Sequence, residues 1–335
     1  MNEFKVFISF FFVIFLGLLS GCGGSHGSET SKPDLTVISH RGASGYLPES
    51  TLPAFVLAYT LGADFLEMDL VMSRDGVPVV FHDLVLNSTT DVADIFPGYQ
   101  REDGKWYVSD LSVAELRQLN VFERFDGRFP AGSQGYSIPT FESVLLLVQE
   151  LNARSGCNVG VYPEIKDPAY HFDIGLPMEA AVVNLLAKYG YVSEDSGAYI
   201  QSFDRDSLIE IRYALQSDIK LVQLIGSGKS YDEMATADGL AAVSDYAHAI
   251  GPSKTRVIES QGALVRNAHA WGLQVHPYTF QADRIPAGLK GFEDELDLFV
   301  SELGVDGVFT DHPDQVLEYL DREGSSSALA SRCSG

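Results

Sequence analysis

His40 and Arg41 close one short apolar run, and Glu67 and Asp69 stand two apart inside another. His82 closes a third run, and Glu164 and Lys166 repeat the two-residue spacing in a fourth. On a strand, that spacing puts both side chains on one face. If the four runs are neighbouring strands, three carboxylates converge. Like charges sharing a site drive one another toward protonation unless a cation sits among them. Oxygen-only ligation by Glu67, Asp69 and Glu164 suits one divalent Ca2+ or Mg2+ ion better than zinc. The other reading keeps the acids as a structural ion network with Arg41 and Lys166; the third carboxylate favours the metal. His40 and His82 add what a hydrolysis needs. Imidazole is the side chain whose ordinary pKa lets one group accept a proton and another donate one near neutrality. Cleavage of a phosphodiester requires both transfers.

The chain carries a formal charge of −23. Such a surface argues against nucleic acid or anionic lipid as a direct partner. It also means that an anionic substrate needs local positive charge. Two unit charges about 4 Å apart interact by roughly 4 kcal/mol at an effective dielectric near 20. A divalent ion, the Arg41 guanidinium and the Lys166 ammonium therefore outweigh a diffuse background field. Phe203, His276 and Tyr278 also stand at apolar-run ends. His276 and Tyr278 read as pocket-lining residues, and Phe203 serves equally as a wall for an alcohol group or as core. Gly226-Ser227-Gly228-Lys229 lacks the full spacing of a phosphate loop.

Positioning these residues requires strands whose ends meet. Strand candidates are 36–40, 64–70, 159–166, 198–203, 220–225, 247–251, 273–278 and 305–310. Helix-period segments alternate with them, beginning near Ser50 with Pro53 in the first turn and continuing at 141–153, 177–189, 206–217, 232–246, 258–271, 292–303 and 313–321. Eight strands alternating with eight helices predict an α/β fold, a (β/α)8 TIM barrel with its chemistry at the C-terminal strand ends. One run breaks the alternation. Residues 77–82 follow the second strand after only an Asp75-Gly76 turn, too short for a parallel crossover. They read as an antiparallel hairpin return that brings His82 back beside Glu67 and Asp69. Residues 84–138 then read as a small inserted lobe, with Ser112 and Glu115 at capping-box spacing. The barrel domain spans 35–322.

The first residues read as an export signal. Lys5 precedes an apolar stretch that ends in Leu19-Ser20-Gly21-Cys22. This ending resembles a bacterial lipobox, which implies a signal peptide over 1–21, lipidation of Cys22 and a Gly/Ser-rich tether over 22–34. The protein is then exported to the periplasm or cell surface and attached to membrane through that lipid. Residues 323–335 read as a disordered tail. Cys157 and Cys333 remain, and pairing between them is open.

These motifs resemble those of a known family. His40-Arg41-Gly42, Leu47-Pro48-Glu49-Ser50-Thr51, Glu67-x-Asp69, His82-Asp83, Pro163-Glu164-Ile165-Lys166 and Thr310-Asp311-x-Pro313 occur in the order of the glycerophosphodiester phosphodiesterases. The resemblance spans about residues 36–320 and is nearest to the bacterial periplasmic and surface-lipoprotein branch. It implies hydrolysis of small glycerophosphodiesters, such as glycerophosphocholine, to sn-glycerol 3-phosphate and an alcohol. It implies His40 and His82 as the acid–base pair. Glu67, Asp69 and Glu164 are implied as ligands of one metal, usually Ca2+, and Arg41 and Lys166 as phosphate contacts. It further implies that the glycerol hydroxyl attacks first, giving a cyclic phosphate that water opens. Ser50 departs from the family's more frequent Asn or His, which puts the fit of substrate near the mouth in question. Two alternatives stay open: a phospholipase acting on intact lipid, and a surface-binding lipoprotein without turnover.

Overall fold

The computed structural model describes residues 35–125, 127–128 and 135–323. The expected signal peptide, lipidation site and tether lie outside the described residues, as does all of the tail beyond residue 323. Strands β1 (Thr36–Ser39), β2 (Phe65–Met72), β3 (Pro78–Val80), β4 (Gly160–Ile165), β5 (Tyr199–Ser202), β6 (Lys220–Ile225), β7 (Ala249–Pro252), β8 (Gln274–Val275) and β9 (Gly307–Thr310) form one sheet. Its order is β8-β7-β6-β5-β4-β2-β1-β9, with all of these neighbours parallel and β3 antiparallel on β2. The two ends of the order approach through irregular bonds. Asp306 N donates to Val275 O at 3.0 Å, Phe309 N to Pro277 O at 3.1 Å and Asp311 N to Phe280 O at 3.0 Å. The eight parallel strands therefore nearly close into the expected barrel.

Helices pack outside it for ordinary reasons of sequence. In Leu52–Leu61, Thr51 accepts the Ala54 N–H at the N-cap, Pro53 sits in the first turn, and Gly62 closes the end in the left-handed region. The large core lies between the strands and this helical ring and includes Phe55, Leu66, Phe141, Ile200 and Phe299. A smaller cluster fills the barrel interior with Ile38, Tyr162, Tyr199, Val222, Ala249 and Phe309. A further cluster joins Val71 and Val79 of the β2–β3 hairpin to Leu86, Val108, Leu116 and Val121 of the long segment that follows. The capping box is present there: Ser112 accepts the Glu115 N–H, and Glu115 accepts the Ser112 N–H.

Several local expectations are corrected. The segment expected as one helix over 258–271 is two, Lys254–Glu259 and Ala263–Ala270. Gln261 and Gly262 both adopt positive φ between them, which no helix continues through. Helices 205–214 and 292–302 end in wide π turns. The seventh barrel strand is short: His276 N and Tyr278 N still donate to Ile250 O and Pro252 O, but Pro252 at the end of β7 has no N–H to give back to the ladder. A helix at Pro168–Asp173 was not expected. Cys157 is engaged in a disulfide. Among the described residues, no helix is long and apolar enough to cross a membrane.

Candidate active site

The β2–β4 register sets Asp69 beside Glu164, and Glu164 in turn pairs with Gln201 on β5. Alternation on β2 turns Glu67 and Asp69 to the same side. The turn after β1 completes the approach. Arg41 takes a positive φ of 55° and donates its backbone N–H to Glu67 Oε2 at 2.8 Å. Gly42 is also left-handed, and a Cβ there would lie 2.7 Å from the backbone of Ala54, so a larger residue would push the turn off the first helix.

Glu67, Asp69 and Glu164 each present an oxygen, and these atoms lie within 4.8 Å of one another, all three residues buried. Burial, then Asp69, drives the Glu67 carboxyl well above its usual range. Burial likewise lifts Glu164, to about 7, against the pull of Lys166. Burial pushes Asp69 upward too, but Arg41, His82, Lys166 and His40 outweigh it and hold it ionised. Arg41 Nε stands 3.0 Å from Asp69 Oδ2, yet the two are not aligned as a hydrogen bond, and both atoms are buried without a hydrogen-bond partner. Two carboxylates forced toward protonation and one unsatisfied oxygen describe a donor set that fits a hard divalent cation. Glu67 is further held by the Gln201 amide at 3.0 Å.

The imidazoles approach from two sides, each oriented by an acid. His40 Nδ1 is 2.7 Å from Asp311 Oδ1, and His82 Nδ1 is 2.6 Å from Asp83 Oδ1. With Nδ1 engaged, Nε2 of each ring is the nitrogen turned away from its acid; that of His82 is met by a lysine. His82 Nε2 lies 3.3 Å from Lys166 Nζ, which also lies 3.0 Å from Glu164 Oε1. Burial, then the charges of Arg41 and Lys166, lowers the His82 pKa despite Asp69 and Asp83. Burial opposes ionisation of Asp311 as well, but the His40 hydrogen bond, Arg128 and Gln281 hold it below the usual carboxylate range.

One cavity of about 360 Å3 collects His40, Arg41, Glu67, His82, Glu164, Lys166, Phe203 and Tyr278 from the sequence-derived set. Asp69 lies under its floor, 1% exposed. His276 is not brought there, which corrects its expected place in the pocket. It is fully buried in the barrel interior, with Nδ1 3.0 Å from the Tyr162 hydroxyl. Ser50 is buried and does not line the cavity. The Gly226–Lys229 loop gives its carbonyls at Gly226 and Gly228 to Arg256.

Residues that sequence reasoning did not single out complete the wall. Glu49 accepts from Arg41 Nη1 at 2.9 Å and from Arg124 Nη2 at 2.8 Å, and Arg124 also meets Asp83 at 2.9 Å. Arg128 reaches Asp311 at 2.9 Å and Asp283 at 2.8 Å. Arg124 and Arg128 belong to the segment after β3 and return across the barrel mouth. The one available signal was a pair of arginines around Phe125 in a chain otherwise so acidic.

The sequence model of the glycerophosphoryl diester phosphodiesterase family matches residues 40–315. A Haemophilus influenzae protein named glycerophosphodiester phosphodiesterase is 35% identical, covering 91% of this chain and 95% of its own length. A Treponema pallidum protein of the same name is 30% identical, covering 92% and 95%. A Silicibacter pomeroyi structure described under the family name superposes with a TM-score of 0.69 at 27% identity, over 87% of this chain and 95% of that one. An Oleispira antarctica phosphodiesterase, solved with its product sn-glycerol-3-phosphate, shares the fold at a TM-score of 0.62 and 24% identity, over 85% and 96%.

Proposed function

The chain belongs to the glycerophosphoryl diester phosphodiesterase family and is a glycerophosphodiester phosphodiesterase; from that premise we propose that it cleaves small deacylated phospholipids with one divalent ion, Ca2+ before Mg2+, and two histidines. The observation that carries this reading is the convergence of His40, His82 and the buried Glu67–Asp69–Glu164 set on one cavity. Those three carboxylates would hold the ion, which when bound draws charge from a phosphoryl oxygen and stabilises the crowded transition state.

The chain's own residues do the rest. Arg41 and Lys166 hold the remaining phosphoryl oxygens by charge-assisted hydrogen bonds. Asp311 and Asp83 fix the two rings so that their Nε2 atoms face the diester. One imidazole takes the proton of the glycerol C2 hydroxyl as its oxygen attacks phosphorus. The other gives a proton to the departing alcohol oxygen. Water then opens the cyclic phosphate with the roles reversed, giving sn-glycerol 3-phosphate. Burial and the charges of Arg41 and Lys166 lower the His82 pKa, and a bound phosphodiester anion offsets part of that charge.

The test is release of glycerol 3-phosphate from glycerophosphocholine with Ca2+, with Mg2+ and with chelator. Metal-dependent release, lost in folded His40→Ala and His82→Ala proteins, supports the reading. A metal-loaded, folded protein that releases nothing from a panel of diesters would sink it.

The Cys22 lipid anchor and a place outside the cytoplasm are part of the same proposal, supported by Leu19-Ser20-Gly21-Cys22. Incorporation of labelled fatty acid that survives Cys22→Ala would refute the anchor.

A further inference from the structure

A second cavity of about 320 Å3 opens beside the first and shares Glu164, Lys166 and Phe203 with it. Its other walls include Tyr231, Tyr170, Asp167 and Asp204, and Lys166, at the shared border, is its one basic residue among the described residues. Phe203 is the hinge between the two. Lys166 Nζ lies 5.8 Å from the Phe203 ring centroid on the phosphate side. The Tyr231 and Tyr278 rings each lie 5.9 Å from it, inclined at 61° and 87°. Tyr278 lines the first cavity, Tyr231 the second and Phe203 both, so a group passing Lys166 from the first to the second moves from Tyr278 to Phe203 and Tyr231, then to carboxylates.

Those carboxylates are available. Asp167 has a positive φ of 42° and caps no N–H of the helix it precedes. Among the described residues, its carboxylate has no hydrogen bond or ion pair. Asp204 uses Oδ1 to accept the Ser207 N–H at 3.0 Å. Burial raises the Tyr231 phenol, and the charges of Glu164, Asp167 and Asp204 act in the same direction. Tyr231 is also held in place. Arg256 ties down the preceding loop at Gly226 O (2.8 Å) and Gly228 O (2.9 Å). A Cβ at Gly226 would come within 2.8 Å of the Tyr231 ring, so the loop leaves the ring just the space it fills.

We propose that Phe203, Tyr231 and Tyr278, with Asp167 and Asp204 behind them, form a subsite for a cationic alcohol, so that the enzyme prefers glycerophosphodiesters of quaternary or primary ammonium alcohols to those of neutral ones. Aromatic faces attract a soft cation through the ring quadrupole, and the attraction grows where water is excluded. The two carboxylates add charge at longer range. Arg41, Arg124 and Arg128 line the first cavity and not the second, so a zwitterionic diester has one orientation that suits both charges. The inference rests on the phosphodiesterase reading for the identity of the substrate.

The experiment compares kcat/KM for glycerophosphocholine and for its 3,3-dimethylbutyl isostere, which has the same shape and a neutral alcohol. Binding of both to the Ca2+-loaded protein is measured by calorimetry alongside. The cation should be worth about tenfold, and Asp167→Asn and Tyr231→Leu should each bring the ratio toward one. Equal values for ester and isostere in the wild-type protein would overturn the subsite. A protein that cleaves neither ester yet binds the choline compound more tightly would keep the subsite and refute the hydrolase, so the two failures are distinct.

Discussion

Lys166 Nζ stands 3.3 Å from His82 Nε2, so a fixed ammonium links one of the two imidazoles to the carboxylate set. Lys166 also faces Phe203, which puts His82 on the side by which we place the departing alcohol. His82 is then the ring that protonates that alcohol. His82→Ala should lose roughly 100-fold or more on glycerophosphocholine. It should recover most of that loss in the first-turnover release of p-nitrophenol from the p-nitrophenyl ester, whose leaving group needs no proton, while opening of the cyclic phosphate stays slow. His40→Ala should not recover. Single-turnover release of the alcohol from the two esters checks this, and recovery by His40→Ala alone would reverse the assignment.

Glu67 is driven toward its neutral form by burial and Asp69. In the metal-free protein, Glu67→Gln therefore removes little charge that is actually present and should leave the melting temperature unchanged or higher. With Ca2+ the sign inverts. Binding to the folded state alone stabilises by mass action, so millimolar Ca2+ should raise the wild-type melting temperature and leave Glu67→Gln unmoved. Calorimetry in calcium and in chelator reads both. An undiminished calcium shift in the variant would remove Glu67 from the ligands.

Glu49 is 8% exposed and lies between two guanidiniums, Arg41 and Arg124. Burial favours its neutral form, but Arg41 and Arg124 hold its pKa below the ordinary value. A depressed carboxylate contributes stability that is complete above its unfolded pKa and is lost as pH falls through the folded one. Glu49→Gln removes the carboxylate that the two guanidiniums share, leaving Arg41 with Asp69 and Arg124 with Asp83, and should cost about 1–2 kcal/mol at pH 7, less as the solution is acidified. Urea unfolding followed from pH 7 down to about pH 3 tests this, because the loss begins below the ordinary carboxylate pKa and is complete only below the lowered one. A cost that does not shrink at the lower pH would contradict the ion-pair origin.

His276 is fully buried, and burial lowers its pKa to about 4. The unfolded chain then binds a proton that the native ring refuses. Stability should be complete above about pH 6.5 and fall as pH drops toward 4, by up to about 3 kcal/mol from this ring. His171, also fully buried and lowered to about 4, acts in the same direction. His276→Phe should flatten the slope of unfolding free energy in that window whatever it does to absolute stability. An unchanged slope would show that the ring is not kept neutral by burial.

Much of the site was legible because its residues are local to motifs. The i, i+2 acids on β2, and Glu164 with Lys166 at the end of β4, need only strand alternation to share a face. The Asp75-Gly76 turn required the return that carries His82. His276 shows where this reasoning stops. The same alternation made it inward-facing, which is correct, but it did not say at what height. Strand stagger sets it against Tyr162 in the interior layer and leaves the place at the mouth to Tyr278, two residues on.

By itself the sequence determined the chemistry available to this protein: acids, imidazoles and cations at strand ends, and a parallel alternation able to bring those ends together. Periodicity and turn residues carry that much because they act over a few neighbours. Only the tertiary structure decided which groups share the cavity and which charges they feel. Arg124 and Arg128 reach Glu49 and Asp311 across separations of 75 and 183 residues. The pKa order of Glu67, Asp69 and Glu164 depends on burial and on distances that no local pattern encodes. Contacts between distant segments depend on how the barrel closes, and closure is a property of the whole sheet.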